Sequence, residues 1–221
     1  AFQVFFIVIA IGIGVGSATS AIIGNLLGKK ENTEAKFLAI QSLNFGILLA
    51  IITSVAAFLF GPYLISLISE PGNYQNAALE YYKVMLFATP GFTLAFSCNG
   101  VLQAQGDTVS MERAQIAAFF ANLVLNPLFI FGIPGYFPAI GFTGLALSTV
   151  VSQTGVMAYV MYKLLKSDVF DKSIVFDLKD RIKPNFNSYQ QIFQQSLPIS
   201  FTMIVMMFAG FIIQYYLRDF G

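Results

Sequence analysis

Apolar residues dominate this chain in long stretches, separated by short polar ones. No Asp, Glu, Lys or Arg occurs within 1–28, 37–69, 84–106, 114–162 or 184–217. A helix rises about 1.5 Å per residue, so a hydrocarbon core of about 30 Å takes roughly 20 residues. Each of these windows is long enough to cross. The fourth holds two spans, because Gly132-Ile133-Pro134-Gly135, with Pro138 and Gly141 just beyond, interrupts it. The pattern therefore predicts an all-α integral membrane protein with six transmembrane helices, at roughly 1–28, 38–67, 82–104, 114–133, 142–165 and 192–217. None reads as a cleavable signal peptide, since residue 1 lies inside an apolar run with no basic region before it.

Composition agrees and excludes several functions. Hydrophobic residues make up 57% of the 221 and charged residues only 10%, against about 25% charged in soluble domains. Mean hydropathy is +0.73. A net charge of +1 leaves no basic field for nucleic acid. There is no histidine and a single cysteine, Cys98, so the usual ligands of zinc, haem and iron–sulfur clusters are missing. Without an intramembrane carboxylate or imidazole there is no nucleophile–base pair, and no enzyme is expected.

The charges between spans set the orientation. Lys29, Lys30, Lys36, Arg113, Lys163, Lys166, Lys172, Lys179, Arg181 and Lys183 fall on one side, and only Lys83 and Arg218 on the other. The positive-inside rule makes the first side cytoplasmic. Both visible chain ends then point outward, as expected for a piece of a longer transmembrane protein.

The candidate chemistry lies in 105–133, QGDTVSMERAQIAAFFANLVLNPLFIFGI. Asn122 and Asn126 stand four residues apart, on one helix face. Pro127 follows and withholds its amide hydrogen from the carbonyl one turn earlier. Oxygen ligands gathered at membrane depth point to a cation or substrate site. Interhelical glue, worth about 0.6 kcal/mol per hydrogen bond, is the other reading, and both stand at this level. Thr149 in the next helix would complete the cluster if the two helices face each other, although such hydroxyls often bond their own backbone.

The remaining features are architectural. Gly12, Gly16, Ser20, Gly24 and Gly28 form a stripe for close helix packing, with Gly14 as a hinge candidate. Pro90-Gly91 predicts a kink in the third span, and Pro198 a bend or stop at the start of the last. Gln41, Ser42 and Asn44 read as structural, Tyr81 and Tyr82 as an interfacial belt, Pro71-Gly72 as a turn, and Ser188 to Gln191 as a capping box. LRDFG at the end reads as an outer-surface exit.

In order, GIGVGSATSAIIGNLLGKKE, YYKVMLFATPGF, VLQAQGDTVSMERAQIAAFFANLVLNPLFIFG, GFTGLALSTVVSQ, a polar connector and QQSLPIS resemble the multidrug and toxic compound extrusion (MATE) transporters. The resemblance spans the whole chain. It implies family helices two to seven of a twelve-helix fold with two six-helix lobes. Residues 1–165 would be five helices of the first lobe, 166–191 the cytoplasmic connector, and 192–221 the first helix of the second lobe. Asn122, Asn126 and Thr149 match positions of the family's cation or proton site, whose essential aspartate would lie upstream of Ala1. Asn126 cannot titrate, so two amides and a hydroxyl suit Na⁺ better than a proton relay. One branch carries a glutamate aligned with Met206; no acidic residue falls between Asp180 and Asp219 here, so the chain resembles the other branch.

The expected function is secondary antiport. Amphipathic or cationic organic compounds would leave across a bacterial inner membrane in exchange for Na⁺ or H⁺, with no cofactor and no metal beyond Na⁺. Partners would be the small organic substrate, membrane lipid and the remainder of the transporter, and not nucleic acid. A lipid-linked precursor flippase would need intramembrane basic residues for a pyrophosphate head group. A non-transporting scaffold would tolerate apolar replacement of the two amides.

Overall fold

The protein is described by a computed structural model covering residues 2–68, 72–170 and 183–217. Its helices are α1 (Phe2–Gly28), α2 (Asn32–Ile68), α3 (Asn73–Met85), α4 (Thr89–Ala104), α5 (Ser110–Phe131), α6 (Thr143–Leu165) and α7 (Phe186–Leu217). Among the described residues there is no strand, only an isolated pairing of Ile133 with Phe137. α3 and α4 form one span, giving six helical segments long and apolar enough to cross a membrane. The chain is a multi-pass membrane protein. The Pro71 turn, most of the connector (171–182) and the LRDFG exit from Arg218 onward lie outside the described residues.

The third span changes pitch just before its proline. Leu86–Ala88 form a 3₁₀ turn, and α4 restarts with Pro90 in its first turn, where no intrahelical N–H bond is lost. Gly91 is buried against α6; a Cβ there would lie 3.9 Å from the Gln153 carbonyl oxygen.

α1 is wedged between α4 and α7, and glycine allows both contacts. A Cβ on Gly12 would stand 2.9 Å from the Phe96 ring and one on Gly16 2.7 Å from the Phe96 carbonyl oxygen. Reciprocally, a Cβ on Gly100 would stand 2.3 Å from the Gly16 carbonyl oxygen. These helices touch backbone to backbone. Ser20 is partly buried, but Gly24 and Gly28 have nothing within 4 Å of their Cβ positions, so the close-packed stripe ends before them. Gly14 does not break α1, which is continuous through it. It faces α7 instead, its Cβ position 3.0 Å from the Ser196 carbonyl oxygen.

Two sequence expectations need correcting for tertiary reasons. Tyr82 is not an interfacial belt residue. It is 1% exposed, lies over Gly61 and donates its hydroxyl to the Ala57 carbonyl at 2.9 Å. Ser188 does not cap the last helix. The Asn185 side-chain oxygen accepts the Ser188 amide at 3.0 Å and its hydroxyl at 3.2 Å, so α7 begins at Phe186, upstream of the expected 192. Asparagine is among the strongest capping residues, and its oxygen reaches the amide three residues on.

That cap is itself held by α2. The Gln41 side chain, fully buried, donates to the Lys183 carbonyl and accepts the Asn185 amide, each at 3.0 Å. One turn on, the rings of Phe45 and Tyr189 pack at 5.3 Å. Gln41→Leu removes both hydrogen bonds at the connector's end. The expected cost is about 1–3 kcal/mol, read as a lower Tm of the detergent-solubilised protein with faster proteolysis near Lys183.

Candidate functional site

The α5–α6 hairpin is closed at its turn by backbone geometry. Gly132 ends α5 with φ +67°, and a Cβ there would lie 2.4 Å from the Phe137 carbonyl oxygen, so only glycine fits. The Ile140 and Gly141 amides then bond back to the carbonyls of Phe129 and Ile130, at 2.9 and 3.2 Å. Gly144 lets α6 start against the α5 backbone, its Cβ position 2.7 Å from the Phe129 carbonyl carbon. Two antiparallel helices held this close bring their facing side chains into direct contact.

Those facing side chains are polar. The Ser148 hydroxyl donates to the Asn126 side-chain oxygen, and the Ser152 hydroxyl donates to that of Asn122 at 3.0 Å. Gln153 donates to the Gln115 side-chain oxygen at 3.3 Å. Asn122 and Asn126 are partly buried, while Ser148 is 0% exposed. The Gln153 side-chain oxygen is buried with no partner among the described residues.

The sequence-derived candidates fall as follows. Asn122 and Asn126 share the α6-facing side of α5. Thr149 is next to them in sequence register but bonds within its own helix, donating to the Leu145 carbonyl at 3.1 Å. The hydroxyls that touch the amides are Ser148 and Ser152, which sequence reasoning missed. Their signal was present: a second pair spaced by four, one helical turn, matching the Asn122 and Asn126 spacing across an antiparallel hairpin. Pro127 and Leu123, whose carbonyl the proline leaves unbonded, lie on the exposed side of α5, and the helix continues to Phe131. The freed carbonyl therefore faces away from the α6 seam. Pro198 sits well inside α7 rather than at its start, and the helix runs on to Leu217, with Thr202 donating to the Pro198 carbonyl at 2.9 Å.

A groove of about 480 Å³ follows the half of the same seam nearer Arg113, lined by Ala117, Ala121, Leu125, Ser152, Gly155 and Tyr159. Its small residues leave the width, and Ser152 connects it to the amides.

At the end of the hairpin away from Gly132, Asp107 organises the start of α5. Its carboxylate accepts the Ser110 hydroxyl at 2.6 Å and the amides of Ser110 and Val109 at 3.0 and 3.3 Å, with Lys163 of α6 at 3.9 Å. The Ser110 hydroxyl, the two amides and the lysine charge outweigh partial burial and hold the carboxyl below its ordinary pKa. A depressed carboxylate pKa stabilises the fold above the unfolded value of about 3.9, and that contribution is lost as pH falls through the folded value. Asp107→Ala is therefore expected to lower Tm at pH 7 by an amount equivalent to about 0.5–2 kcal/mol. The gap from wild type should close as the pH of the melt is taken below about 4.

Comparison with known proteins places the fold in a family. The family model described as MatE matches residues 1–128. The "Probable multidrug resistance protein YoeA" of Bacillus subtilis (strain 168) is 26% identical over 100% of this chain and 47% of its own length. The "Multidrug export protein MepA" of Staphylococcus aureus (strain MRSA252) is 28% identical over 99% of this chain and 46% of its own. The chain spans about half the length of these curated relatives. Among solved structures, an inward-facing multidrug resistance MATE family transporter of the MOP superfamily superposes with a TM-score of 0.82 at 24% identity, over 95% of this chain and 46% of that one. An outward-facing one gives 0.77 at 25% identity, over 94% and 44%. With the family model covering more than half of its residues and the same helical architecture in the solved transporters, the chain belongs to the MatE family of multidrug and toxic compound extrusion transporters.

Proposed function

We propose that the full-length protein is a secondary active antiporter that exports amphipathic or cationic organic compounds across a bacterial inner membrane in exchange for Na⁺ or H⁺. The observation that carries this reading is the α5–α6 seam, where Asn122 and Asn126 lie beside two serine hydroxyls at membrane depth. Neutral oxygens in that number suit a monovalent cation better than a divalent one, and Na⁺ is the ion we favour. The multidrug export named for the relatives supports the substrate class. In this reading residues 1–165 belong to the first lobe, 166–191 link the lobes, and the segment from 192 opens the second. Binding of the ion would favour one orientation of the lobes over the other.

The test is transport by the full-length protein in inverted vesicles, following a fluorescent organic cation while Na⁺ and pH gradients are imposed one at a time. Uptake driven by one gradient identifies the coupling ion. Absence of gradient-driven uptake for every cation tried would overturn antiport and favour a flippase or scaffold. A flippase lacks support from the charge pattern, since the charge-free windows carry no lysine or arginine for a pyrophosphate.

A further inference from the structure

The Ser148 hydroxyl has one hydrogen and two acceptors. It lies against the Asn126 side-chain oxygen, and at 2.8 Å from the Leu145 carbonyl oxygen of its own helix. A hydroxyl donates once and carries two lone pairs. When its hydrogen is on Asn126, the contact is interhelical glue. When the hydrogen turns to Leu145, a carbonyl that Thr149 also approaches at 3.1 Å, a Ser148 lone pair faces the same corner as the Asn126 oxygen. Ser148 is fully buried, so neither arrangement calls on water.

Ser152 differs. It has one hydrogen bond, to Asn122, and in this rotamer its oxygen lies against no second acceptor. To give up Asn122 it must first swing its side chain toward a carbonyl of its own helix, whereas Ser148 only rotates its O–H bond. The asymmetry selects one of the two serines as able to change role.

We infer that Ser148 is a ligand of the coupling cation: its hydrogen moves from the Asn126 oxygen to the Leu145 carbonyl as the ion arrives, and both side-chain oxygens then coordinate it. The inference rests on the reading of the seam as a Na⁺ site. It assigns the glue and the site to the same residues in two states of one hydroxyl. No proton is gained or lost in the exchange.

The experiment uses the full-length transporter in proteoliposomes, with Na⁺ alone as the titrated ion and the half-saturating Na⁺ for export as the readout beside maximal rate. Ser148→Ala and Ser148→Cys are expected to raise half-saturating Na⁺ by roughly 10-fold or more, the equivalent of losing one hydrogen-bond-strength contact to a charge. Maximal rate, recorded beside it, separates a loss of Na⁺ affinity from a loss of turnover. Cysteine keeps the size of the side chain, so it reports on the oxygen even if alanine loosens the seam. Ser148→Thr, which keeps the hydroxyl, is expected to restore Na⁺ affinity toward wild type. An unchanged half-saturating Na⁺ in both Ala and Cys variants would make Ser148 packing only. A lowered value would make its hydroxyl a competitor of the ion, and either result overturns the inference. Asn126→Leu run alongside separates the two levels. If it too leaves Na⁺ dependence unmoved, the seam is not the ion site; if it shifts Na⁺ dependence and Ser148 variants do not, the ligand role of Ser148 alone fails.

Discussion

Full-length transporter carrying Asn122→Leu together with Asn126→Leu is expected to reach the membrane at wild-type levels and to lose ion-driven export. Each amide oxygen given to a cation is a contact of hydrogen-bond strength to a charge, about 1.5–3 kcal/mol. Losing two should weaken ion binding by about two to four orders of magnitude. The fold should survive because the serines left behind are not stranded. Ser148 already has the Leu145 carbonyl within 2.8 Å, and Ser152 can turn to the carbonyl one turn before it, as membrane serines commonly do. Leucine matches asparagine in branching and heavy-atom count, is at home beside lipid, and its extra bulk falls at two positions that are only partly buried. The measurement is vesicle transport under the driving gradient, with membrane abundance and detergent gel filtration as controls. Retained transport at normal abundance would reduce the two amides to helix glue and move the ion site to another part of the transporter.

The largest effect on stability is expected from a single methyl group. Gly100→Ala would put a Cβ 2.3 Å from the Gly16 carbonyl oxygen and 3.0 Å from the Gly16 Cα. Both are backbone atoms, so no rotamer change relieves the overlap, and α1 must separate from α4. Separation also withdraws Gly12 and Gly16 from Phe96 and strains the contact of Gly14 with α7. The cost is expected at or beyond the upper end of the about 1–3 kcal/mol typical of overpacked cores. Gly24→Ala supplies the control in the same helix. Nothing described lies within 4 Å of its Cβ position, and alanine is better than glycine in a helix by about 1 kcal/mol. A lower Tm for Gly100→Ala with an unchanged or higher Tm for Gly24→Ala is the expected pair of results. Equal effects would mean that the α1–α4 approach is looser than the geometry requires.

The glycine comparison shows how far pattern reading reaches. Spacing by four marks Gly12, Gly16, Gly24 and Gly28 as equivalent, because they share one helix face. Only the first two meet α4, Gly12 the Phe96 ring and Gly16 the Phe96 backbone, since α4 crosses α1 and leaves its C-terminal end behind. The same limit applies to Tyr82. Its place at a polar border fits an aromatic belt, and nothing local reveals that Gly61 of α2 opens a slot for its ring. For the last helix, two capping signals lie three residues apart, at Asn185 and Ser188. Gln41, more than a hundred residues away, holds the first.

The spans, their number and the membrane class follow from local chemistry. Charge is too costly in hydrocarbon and an unpaired backbone must become helix, so charge-free windows of sufficient length can adopt little else. Asn122 and Asn126 stood out for the same reason, as polar groups where few are tolerated. Which hydroxyls meet them was a matter of rotation about the α6 axis. Ser148 and Thr149 are adjacent in sequence yet about 100° apart around the helix. The Gly132 and Gly144 contacts that press the hairpin together turn Ser148 and Ser152 toward the amides and leave Thr149 on its own backbone. That rotation is fixed by contacts between helices, which no window of a single helix contains.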